Sequence, residues 1–446
     1  MNIKSDSRKI KAGDTFIALE YVNDGHKYVV DAINRGALKV IVKEGLYSVD
    51  TLVVKDTHEY LVNYLKETYE EEIKDLKLIG MTGTNGKTTT CYLLHKILNE
   101  LGEKTGYIGT LGFYINEKVK DLNNTTPDIL DLYEMLLESK NQGCKYVVME
   151  VSSHALSLDR VKGLEFDVAC FSNLTQDHLD YHISMDNYLK EKQKLFKMLK
   201  GERVAVINRD DKYFNEFIDE ENKNITYGFS DSNYQITSYQ TALTGSSFII
   251  NNKDIYKTKL LGKHNIYNLS CIISVLEGLG YSYEQYNTVI ENLDSPPGRM
   301  DSVLKDTNTI IIDYAHTPDA VSNVLNSVRE LNPEHIYTIV GCGGDRDRTK
   351  RPIMADYATL LSDYVIFTSD NPRTEDPVRI IEDMVQKLDI NNYEIEVNRE
   401  KAIIKGIQLL KENDILMVLG KGHETYQIIG LQKIDFDDKK IVIDNI

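Results

Sequence analysis

The sequence predicts a three-domain α/β fold, with domains at residues 1–74, 75–297 and 298–446. The length of 446 residues leaves room for about two to four domains. A buried strand, a glycine-rich turn and an amphipathic helix follow one another over 78–101. Apolar strands alternate with helical stretches throughout the last domain. We therefore expect a small N-terminal α/β domain, a central P-loop ATPase-like domain and a C-terminal Rossmann-like doubly wound sheet.

The composition restricts the class of protein. Apolar residues make up 41% of the chain and charged residues 27%, which is typical of a globular protein. The net charge of −17 argues against a nucleic-acid binder, which needs a basic surface. Neither a membrane-length apolar run nor an apolar signal segment occurs, so we expect a cytoplasmic protein without membrane insertion. The five cysteines are scattered singly, which indicates no disulfide framework.

The first domain is predicted from short apolar stretches. Its expected elements are strands at 14–19, 39–42 and 52–54 and helices at 28–35 and 60–72. Before them, Ser5, Asp6, Ser7 and Arg8 form a polar cluster. Such a cluster could bind a polar ligand, although Ser and Asp more often serve turns.

The glycine-rich turn of the central domain predicts phosphate binding. Gly83 and Gly86 permit a tight turn that directs backbone N–H groups to one point, and the following helix adds its positive N-terminus. Lys87 supplies a full charge for a terminal phosphate, and Thr88 can hold Mg²⁺. The strict P-loop pattern fails at Met81, yet Gly-Lys-Thr at a strand-to-helix junction favours a phosphate site.

Further central elements are expected as strands at 107–112, 146–151, 168–173, 204–208 and within 223–260, and as helices at 128–140, 185–199 and 269–279. Glu150 ends one of these strands and is well placed to hold Mg²⁺. The loop with Asp177, His178, Asp180 and His182 fits no common zinc spacing, so a nucleotide-metal or substrate role is favoured.

Two other polar groups of this domain have ordinary explanations. Lys192 lies on a helix with Lys190 and Lys194, which is typical of a solvated face. Asn265 and Asn268 could contact a base or ribose, although they are more often helix-start caps.

The last domain carries polar clusters after four predicted strands. Strands are expected at 308–313, 336–341, 364–368, 393–397 and 414–419, with helices at 318–331, 351–361, 377–388 and 399–411. The clusters are Asp313–His316, Gly341–Arg346, Asp370–Arg373 and Gly420–Glu424. Ligands bind beyond the carboxyl ends of such strands. Arg346 and Arg373 would donate to carboxylates, and Asp370 and Glu424 would accept from an ammonium group. This set suits an amino-acid-like ligand with an extra carboxylate.

These motifs together resemble the Mur ligase family over nearly the whole chain. The matching stretches are 6–8, 82–89, 150–154, 177–182, 262–265, 297–300, 313–316, 341–346, 370–373 and 420–424. The family consists of ATP-dependent ligases of peptidoglycan precursor synthesis. Within it, the chain is similar to the type that extends UDP-N-acetylmuramoyl-L-Ala-D-Glu, and Asp370–Arg373 matches the motif associated with meso-diaminopimelate rather than lysine.

The resemblance implies roles for individual residues. ATP would be bound by Gly83, Thr84, Asn85, Gly86, Lys87, Thr88, Thr89, Asn265 and Arg299. Mg²⁺ would be held by Thr88, Glu150, His178 and Lys192, the last as a carbamate, and catalysis would depend on Lys87, Glu150, His178 and Lys192. Substrates would be bound by Ser5 and Ser7 (uridine nucleotide), by Asn124, Thr125, Thr126, Ser152 and Arg160 (muramoyl dipeptide), and by Arg346, Asp370, Asn371, Pro372, Arg373, Gly420 and Glu424 (amino acid).

The implied reaction proceeds through an acyl phosphate, formed from the D-glutamate carboxylate and ATP and then attacked by the incoming amine. We expect a monomer that acts on small molecules. Two alternatives stay open: the same chemistry with lysine or a folate-like acceptor, and a regulatory relative that has lost ligation. Compared with the family, the chain begins close to Ser5, residues 19–23 lack a usual glycine, and Leu158 replaces a substrate-contacting glutamine of some relatives.

Overall fold

The computed structural model describes residues 2–20 and 24–446. Over these residues the chain forms three α/β units, built on sheets of four, eleven and six strands, and a separate two-stranded hairpin. The predicted three-domain α/β class is therefore confirmed. No helix in the described ranges combines the length and the apolar character needed to cross a bilayer.

The N-terminal unit is a small parallel sheet with two α-helices. Its elements are β1 (Ile3–Lys4), β2 (Thr15–Ile17), β3 (Lys39–Val42), β4 (Asp50–Val53), α1 (Val29–Asn34) and α2 (Thr57–Ile73). α2 begins three residues before the predicted start because the Asp56 side chain accepts from His58 N and Glu59 N. Residues 21–23, part of the stretch that departs from the family, lie outside the described residues.

The central unit carries the eleven-stranded sheet. Its strands are β5 (Lys77–Thr82), β6 (Thr105–Gly109), β7 (Gly112–Ile115), β8 (Glu117–Lys120), β9 (Tyr146–Glu150), β10 (Phe166–Phe171), β11 (Leu199–Asn208), β12 (Lys223–Gly228), β13 (Tyr234–Ala242), β14 (Gly245–Ile250) and β15 (Asp254–Thr258). Its helices are α3 (Lys87–Glu100), α4 (Ile129–Asn141), α5 (Ser153–Ser157), α6 (Leu179–His182), α7 (Met185–Gln193), α8 (Lys263–Gly278) and α9 (Tyr283–Asn292).

The strand order places the glycine-rich turn beside the two strand ends that matter most. β5 lies between β9 and β10, and all three strands are parallel. Their carboxyl ends therefore meet at one edge of the sheet. Both faces of β5 are buried, with Leu78 in one apolar cluster and Ile79 and Met81 in the other. This explains the continuous apolar run of the sequence.

Several central elements differ from the predictions. The strand expected over 107–112 is present as β6 but ends at Gly109, where the chain turns and returns as the antiparallel β7, starting at Gly112 with φ 124°. The helix expected over 185–199 ends at Gln193 and continues as a 3-10 helix. α8 begins at Lys263, next to Gly262 with φ 86°, so Asn265 and Asn268 lie inside the helix. α9 was not predicted.

The C-terminal unit is doubly wound. Its strands are β16 (Asp301–Lys305), β17 (Asn308–Asp313), β18 (Ile336–Val340), β19 (Tyr364–Phe367), β20 (Tyr393–Ile395) and β21 (Ile415–Leu419), with β22 (Tyr426–Ile429) and β23 (Gln432–Asp435) as a hairpin. Its helices are α10 (Pro318–Arg329), α11 (Lys350–Leu361), α12 (Pro377–Val385), α13 (Arg399–Leu409) and α14 (Asp438–Asp444).

The sheet order of this unit is β16-β17-β21-β18-β19-β20. β16 pairs antiparallel with β17, whereas the other pairs are parallel. The prediction of a wholly parallel sheet is therefore wrong at this edge. A tight turn at Asp306, with φ 53°, joins the two antiparallel strands.

Candidate active site

The glycine-rich turn lies at the carboxyl end of β5, in the conformation that the sequence predicts. Gly83 and Gly86 adopt φ values of 150° and 89°. A Cβ on Gly83 would lie 1.9 Å from the Ser172 hydroxyl, and one on Gly86 would lie 2.6 Å from Asn268 Oδ1. Both positions therefore require glycine for conformation and for space. α3 starts at Lys87 with its N-terminus at the turn.

Asn173, two residues after the end of β10, anchors the turn. Its carbonyl accepts from Thr84 N at 2.8 Å, and its side-chain oxygen accepts from Asn85 N at 2.9 Å. The Ser172 hydroxyl donates to the Asn85 carbonyl at 2.7 Å. The neighbouring strand thus fixes the turn. Sequence reasoning missed this role for Asn173, because nothing local marks it.

Two lysines share one carbonyl oxygen inside the turn. Lys87 Nζ and Lys192 Nζ each donate to the Gly83 carbonyl at 2.8 Å, and Lys87 Nζ also donates to the Thr84 carbonyl. Lys192 is only 1% exposed, so the solvated-face interpretation of it is wrong. Burial lowers the pKa of both amines, and the Lys87 cation lowers that of Lys192 further.

Glu150 is fully buried beside Thr88 at the end of β9. Its Oε2 accepts from Thr88 Oγ1 at 2.9 Å. The same hydroxyl accepts from Arg299 Nη2 at 3.2 Å, which brings the connector to the C-terminal unit against α3. A hydroxyl oxygen and a carboxylate oxygen in contact at a phosphate-binding turn are ligands that suit Mg²⁺.

His178 follows β10 in a loop and has the left-handed φ of 55°. Its ring packs edge-on against His154 at 4.8 Å, and its Nε2 lies 3.3 Å from Asp177 Oδ2. Burial lowers the pKa of His178 to about 3, and the cations of Lys87 and Lys192 contribute despite the Asp177 carboxylate. The imidazole is therefore neutral, as a metal ligand must be.

A cavity of about 700 Å³ joins the central and C-terminal units. It brings together most of the predicted nucleotide residues, and the members that line it are Thr84, Asn85, Gly86, Lys87, Thr88, Thr89, Glu150, His178, Asn265 and Arg299. Thr125 and Ser152 also line it. Across the cavity, Asn85 Nδ2 donates to Asp319 Oδ2 on α10 at 2.7 Å. This contact between units was not predicted.

The predicted amino-acid residues lie together in the C-terminal unit but outside that cavity. Asn371 Nδ2 donates to Glu424 Oε2 at 2.8 Å, and the buried Lys421 Nζ donates to the same oxygen at 2.9 Å. A Cβ on Gly420 would lie 2.6 Å from Asp370 Oδ2, so these two strand ends touch. Sequence reasoning gave no role to Lys421, although it stands inside a quoted motif.

The two predicted arginines of this pocket are neighbours. Arg373 Nη1 donates to the Gly344 carbonyl at 2.8 Å, and the Pro372 carbonyl packs closely against the same glycine. Arg346 is exposed, and partial burial and the Arg373 cation lower its pKa. Gly343 lies between the two side chains, because a Cβ on it would lie 2.9 Å from Arg373 Nη1 and 3.9 Å from Arg346 Cγ. Towards the cavity, the Tyr314 ring lies 5.3 Å from that of His423, the residue before Glu424.

Three of the predicted dipeptide residues, Thr126, Ser152 and Arg160, form one network beside Glu150. Thr126 Oγ1 donates to the Glu150 carbonyl at 2.8 Å and accepts from Ser152 N at 3.1 Å. Arg160 Nη1 donates to the Thr126 carbonyl at 3.1 Å, and its Nε pairs with Asp128 at 2.9 Å. Asn124 is exposed on the same loop.

Ser5 and Ser7 lie in the N-terminal unit, away from the residues of the cavity. Ser5 is half-buried, and the hydroxyl of Ser7 is buried against the Asp31 carboxylate. Asp6 caps a short 3-10 helix by accepting from Arg8 N, as turn chemistry predicts. Lys4 and Lys9 pair with Glu134 and Asp131 of α4, which fixes this unit beside the dipeptide network.

Family models match two long parts of the chain. A model of the Mur ligase middle domain matches residues 81–276, and a model of the Mur ligase glutamate ligase domain matches residues 298–422. The chain belongs to the Mur ligase family. It is therefore a ligase. The phosphate turn falls in the first matched domain, and the amino-acid pocket except Glu424 falls in the second.

Individual relatives of this Mur ligase cover almost its full length. A UDP-N-acetylmuramoyl-L-alanyl-D-glutamate–2,6-diaminopimelate ligase of Fusobacterium nucleatum is 42% identical over 459 residues, with 98% of this chain and 92% of that protein covered. The enzyme of the same name from Bacillus cereus is 41% identical, with 99% and 92% covered.

Solved structures agree with this assignment. A structure of an enzyme with that name matches with a TM-score of 0.69 and 33% identity, covering 100% of this chain and 94% of the other. MurF of Thermotoga maritima in complex with ADP matches with a TM-score of 0.69 at 17% identity, covering 95% and 94%. The second likeness shows the fold alone.

Proposed function

We propose that this Mur ligase adds meso-diaminopimelate to the D-glutamate of UDP-N-acetylmuramoyl-L-Ala-D-Glu at the expense of ATP. The observation that carries the proposal is the juxtaposition of two sites. The phosphate turn with Lys87 and Glu150 opens into the interdomain cavity, which Tyr314 of the C-terminal unit also lines. The Tyr314 ring lies 5.3 Å from that of His423, the residue before Glu424 of the amino-acid pocket. The names of relatives at about 40% identity support the choice of substrates.

Each part of the site has a task in this reaction. Gly83–Thr89 and Lys87 would bind the triphosphate, and the dipeptide network at Thr126, Ser152 and Arg160 would direct the D-glutamate carboxylate to the γ-phosphate. Transfer of the phosphoryl group to this carboxylate gives an acyl phosphate and ADP. The carboxylate is a poor electrophile until it is phosphorylated. The amine then attacks the acyl carbon and phosphate leaves.

Thr88, Glu150 and His178 would hold Mg²⁺, and the oxygen donors and neutral imidazole described above fit that ion. Bound Mg²⁺ would neutralise charge on the triphosphate during transfer. Domain closure would exclude water from the acyl phosphate. The Asn85–Asp319 hydrogen bond supports a closed arrangement of the two units.

Lys192 would act as a carbamate. Its amine is buried, no ion pair to a carboxylate is formed by it within the described ranges, and its pKa is lowered by burial. A neutral amine has the free electron pair that attacks CO₂, and loss of one proton then leaves an anionic carbamate. This anion would extend the ligand set of the metal.

The acceptor pocket would recognise the distal amino-acid end of meso-diaminopimelate. Arg346 and Arg373 would bind its distal carboxylate, and Asp370 and Glu424 would accept from its distal ammonium group. Lysine lacks that carboxylate, so it would leave the two arginines unpaired. We further propose action as a cytoplasmic monomer without nucleic-acid partners.

The test supplies ATP, Mg²⁺ and UDP-N-acetylmuramoyl-L-Ala-D-Glu with either meso-diaminopimelate or L-lysine, and measures phosphate release and the product mass. Turnover should be much faster with meso-diaminopimelate. Arg373→Ala should raise the KM for this acceptor at least about tenfold, whereas Arg379→Ala, an exposed arginine of α12, should not. Equal turnover with lysine would overturn the acceptor assignment, and no turnover with any acceptor would favour a regulatory relative.

A further inference from the structure

The Glu150 carboxylate is held by residues of β6 and the turn after it. Tyr107 Oη donates to Glu150 Oε1 at 2.7 Å, and Thr110 N donates to the same oxygen at 2.8 Å. Thr110 Oγ1 donates to Oε2 at 3.1 Å, beside the contact with Thr88. Tyr107 and Glu150 are both fully buried. The carboxylate therefore has one defined orientation, with Oε2 towards the phosphate turn.

Gly109 makes this close approach possible. A Cβ at this position would lie 2.3 Å from Glu150 Oε1 and 2.4 Å from Tyr107 Oη. Neither oxygen can move aside for this Cβ, because both side chains are buried and hydrogen-bonded to each other. The chain thus has a glycine where the phenol and the carboxylate meet.

The Tyr107 hydroxyl is a well-ordered hydrogen-bond donor. A tyrosine phenol carries its proton at neutral pH, and this one donates it to the Glu150 carboxylate. Its ring is fixed by edge-on contacts with Tyr92 at 5.6 Å and Tyr114 at 5.7 Å. A rigid ring with a protonated hydroxyl orients its acceptor with little freedom.

We propose that Tyr107 is a positioning residue that orients Glu150 for the divalent cation bound with the nucleotide. Tyr107 and the Thr110 amide occupy Oε1, so Oε2 is the oxygen directed at Thr88 and the cation. The inference rests on the proposed function, because it presumes that Glu150 binds this cation. Loss of an outer hydrogen-bond partner of a metal ligand costs about 10- to 100-fold in metal affinity.

The test compares Tyr107→Phe with Tyr114→Phe. Both variants remove one hydroxyl from the same aromatic cluster, but only the first removes a hydrogen bond to Glu150. Mn²⁺ binding in the presence of a non-hydrolysable ATP analogue is followed by electron paramagnetic resonance. Tyr107→Phe should weaken Mn²⁺ binding about 10- to 100-fold and raise the apparent KM for Mg²⁺ in turnover. The KM for the amino-acid acceptor should stay unchanged, and Tyr114→Phe should match the wild type.

Three results would count against the proposal. Equal Mn²⁺ affinity of Tyr107→Phe and the wild type would overturn the positioning role, and so would equal weakening by both variants, which would point to ring packing. A wild type that binds no Mn²⁺ with the nucleotide would overturn the proposed function as well. Thermal unfolding of both variants, within a few degrees of the wild type, shows that the fold is kept.

Discussion

Replacing Glu375 with glutamine should destabilise the C-terminal unit and loosen the amino-acid pocket. Glu375 Oε1 accepts from Arg351 Nη2 at 2.8 Å and from Asp345 N at 2.6 Å. Its Oε2 accepts from Arg348 Nη2 at 2.6 Å and from Arg351 Nη1 at 3.1 Å. Arg351 is only 1% exposed. Glu375 therefore ties the loop of Arg346 to the loop of Arg373.

The size of the effect follows from the charge on Glu375. The hydrogen bonds from Arg351, with those from Asp345 N and Arg348, lower its pKa from 4.5 to about 2. A shift of this size corresponds to at most about 3 kcal/mol of folding free energy. Partial exposure of the site reduces this, so we expect about 2 kcal/mol. For a domain of this size, the midpoint of unfolding should fall by about 4–8 °C.

The sign of the pH dependence follows from the lowered pKa. The stabilisation is fully present above about pH 4.5 and is lost as the pH falls from 4.5 towards 2. The difference between wild type and Glu375→Gln should therefore be constant near neutral pH and shrink below pH 4.5. Differential scanning calorimetry measures it, since it separates the transitions of different domains.

Turnover of the same variant provides a second readout. The KM for the amino-acid acceptor should rise, whereas the KM for ATP should stay unchanged. Glu382→Gln, an exposed glutamate of α12, is the matched control and should change neither quantity. An unchanged unfolding midpoint together with an unchanged acceptor KM in Glu375→Gln would refute the reasoning.

Three further substitutions test other parts of the molecule. Lys192→Ala should abolish turnover and keep the unfolding midpoint close to that of the wild type; full activity would show that no carbamate is needed. Ile183→Gly should stabilise the chain by about 0.5–1 kcal/mol in chemical unfolding. Ile183 is the central residue of a strained γ-turn, with φ 69° and a hydrogen bond from Ser184 N to the His182 carbonyl. Its side chain is 82% exposed, so its removal costs little packing. Gly109→Ala should reduce turnover at least about tenfold, because its Cβ would overlap Glu150 and Tyr107.

Matched variants separate these effects from general ones. Ile183→Ala keeps a Cβ at positive φ, so it should not raise the free energy of unfolding as Ile183→Gly does. An equal gain in both variants would contradict the explanation by backbone strain. Gly278→Ala adds a Cβ at 3.1 Å from the flexible end of Ile225 and should leave turnover unchanged. Normal turnover of Gly109→Ala would contradict the tight fit around Glu150.

The phosphate turn could be predicted because its signals are local. Gly83, Gly86 and Lys87 stand within five residues. A glycine by itself permits the conformation of the turn, and a lysine by itself supplies the charge for a phosphate. The position of Glu150 at the end of β9 could be predicted from the apolar run before it. The same holds for the polar clusters of the C-terminal unit, where strands and helices alternate regularly.

Contacts between distant residues could not be predicted in this way. The buried Lys192 amine donates a hydrogen bond to the Gly83 carbonyl, which is 109 positions away in sequence. Tyr107 reaches Glu150 because β6 pairs with β9, and Thr110 reaches it because the chain reverses after Gly109. Asp319 meets Asn85 only when two units pack together. The domain limits at 74 and 297 stay a prediction, which limited proteolysis around Pro296–Arg299 would test.

The most direct test of the account is the fate of the carboxylate oxygens of D-glutamate. UDP-N-acetylmuramoyl-L-Ala-D-Glu is labelled with ¹⁸O in its terminal carboxylate and turned over with ATP, Mg²⁺ and meso-diaminopimelate, and the released phosphate is analysed by mass spectrometry. Because the carboxylate oxygen that attacks the γ-phosphate leaves with it, each released phosphate should carry one ¹⁸O atom. Unlabelled phosphate formed together with the amide product would contradict activation of the carboxylate at the phosphate turn.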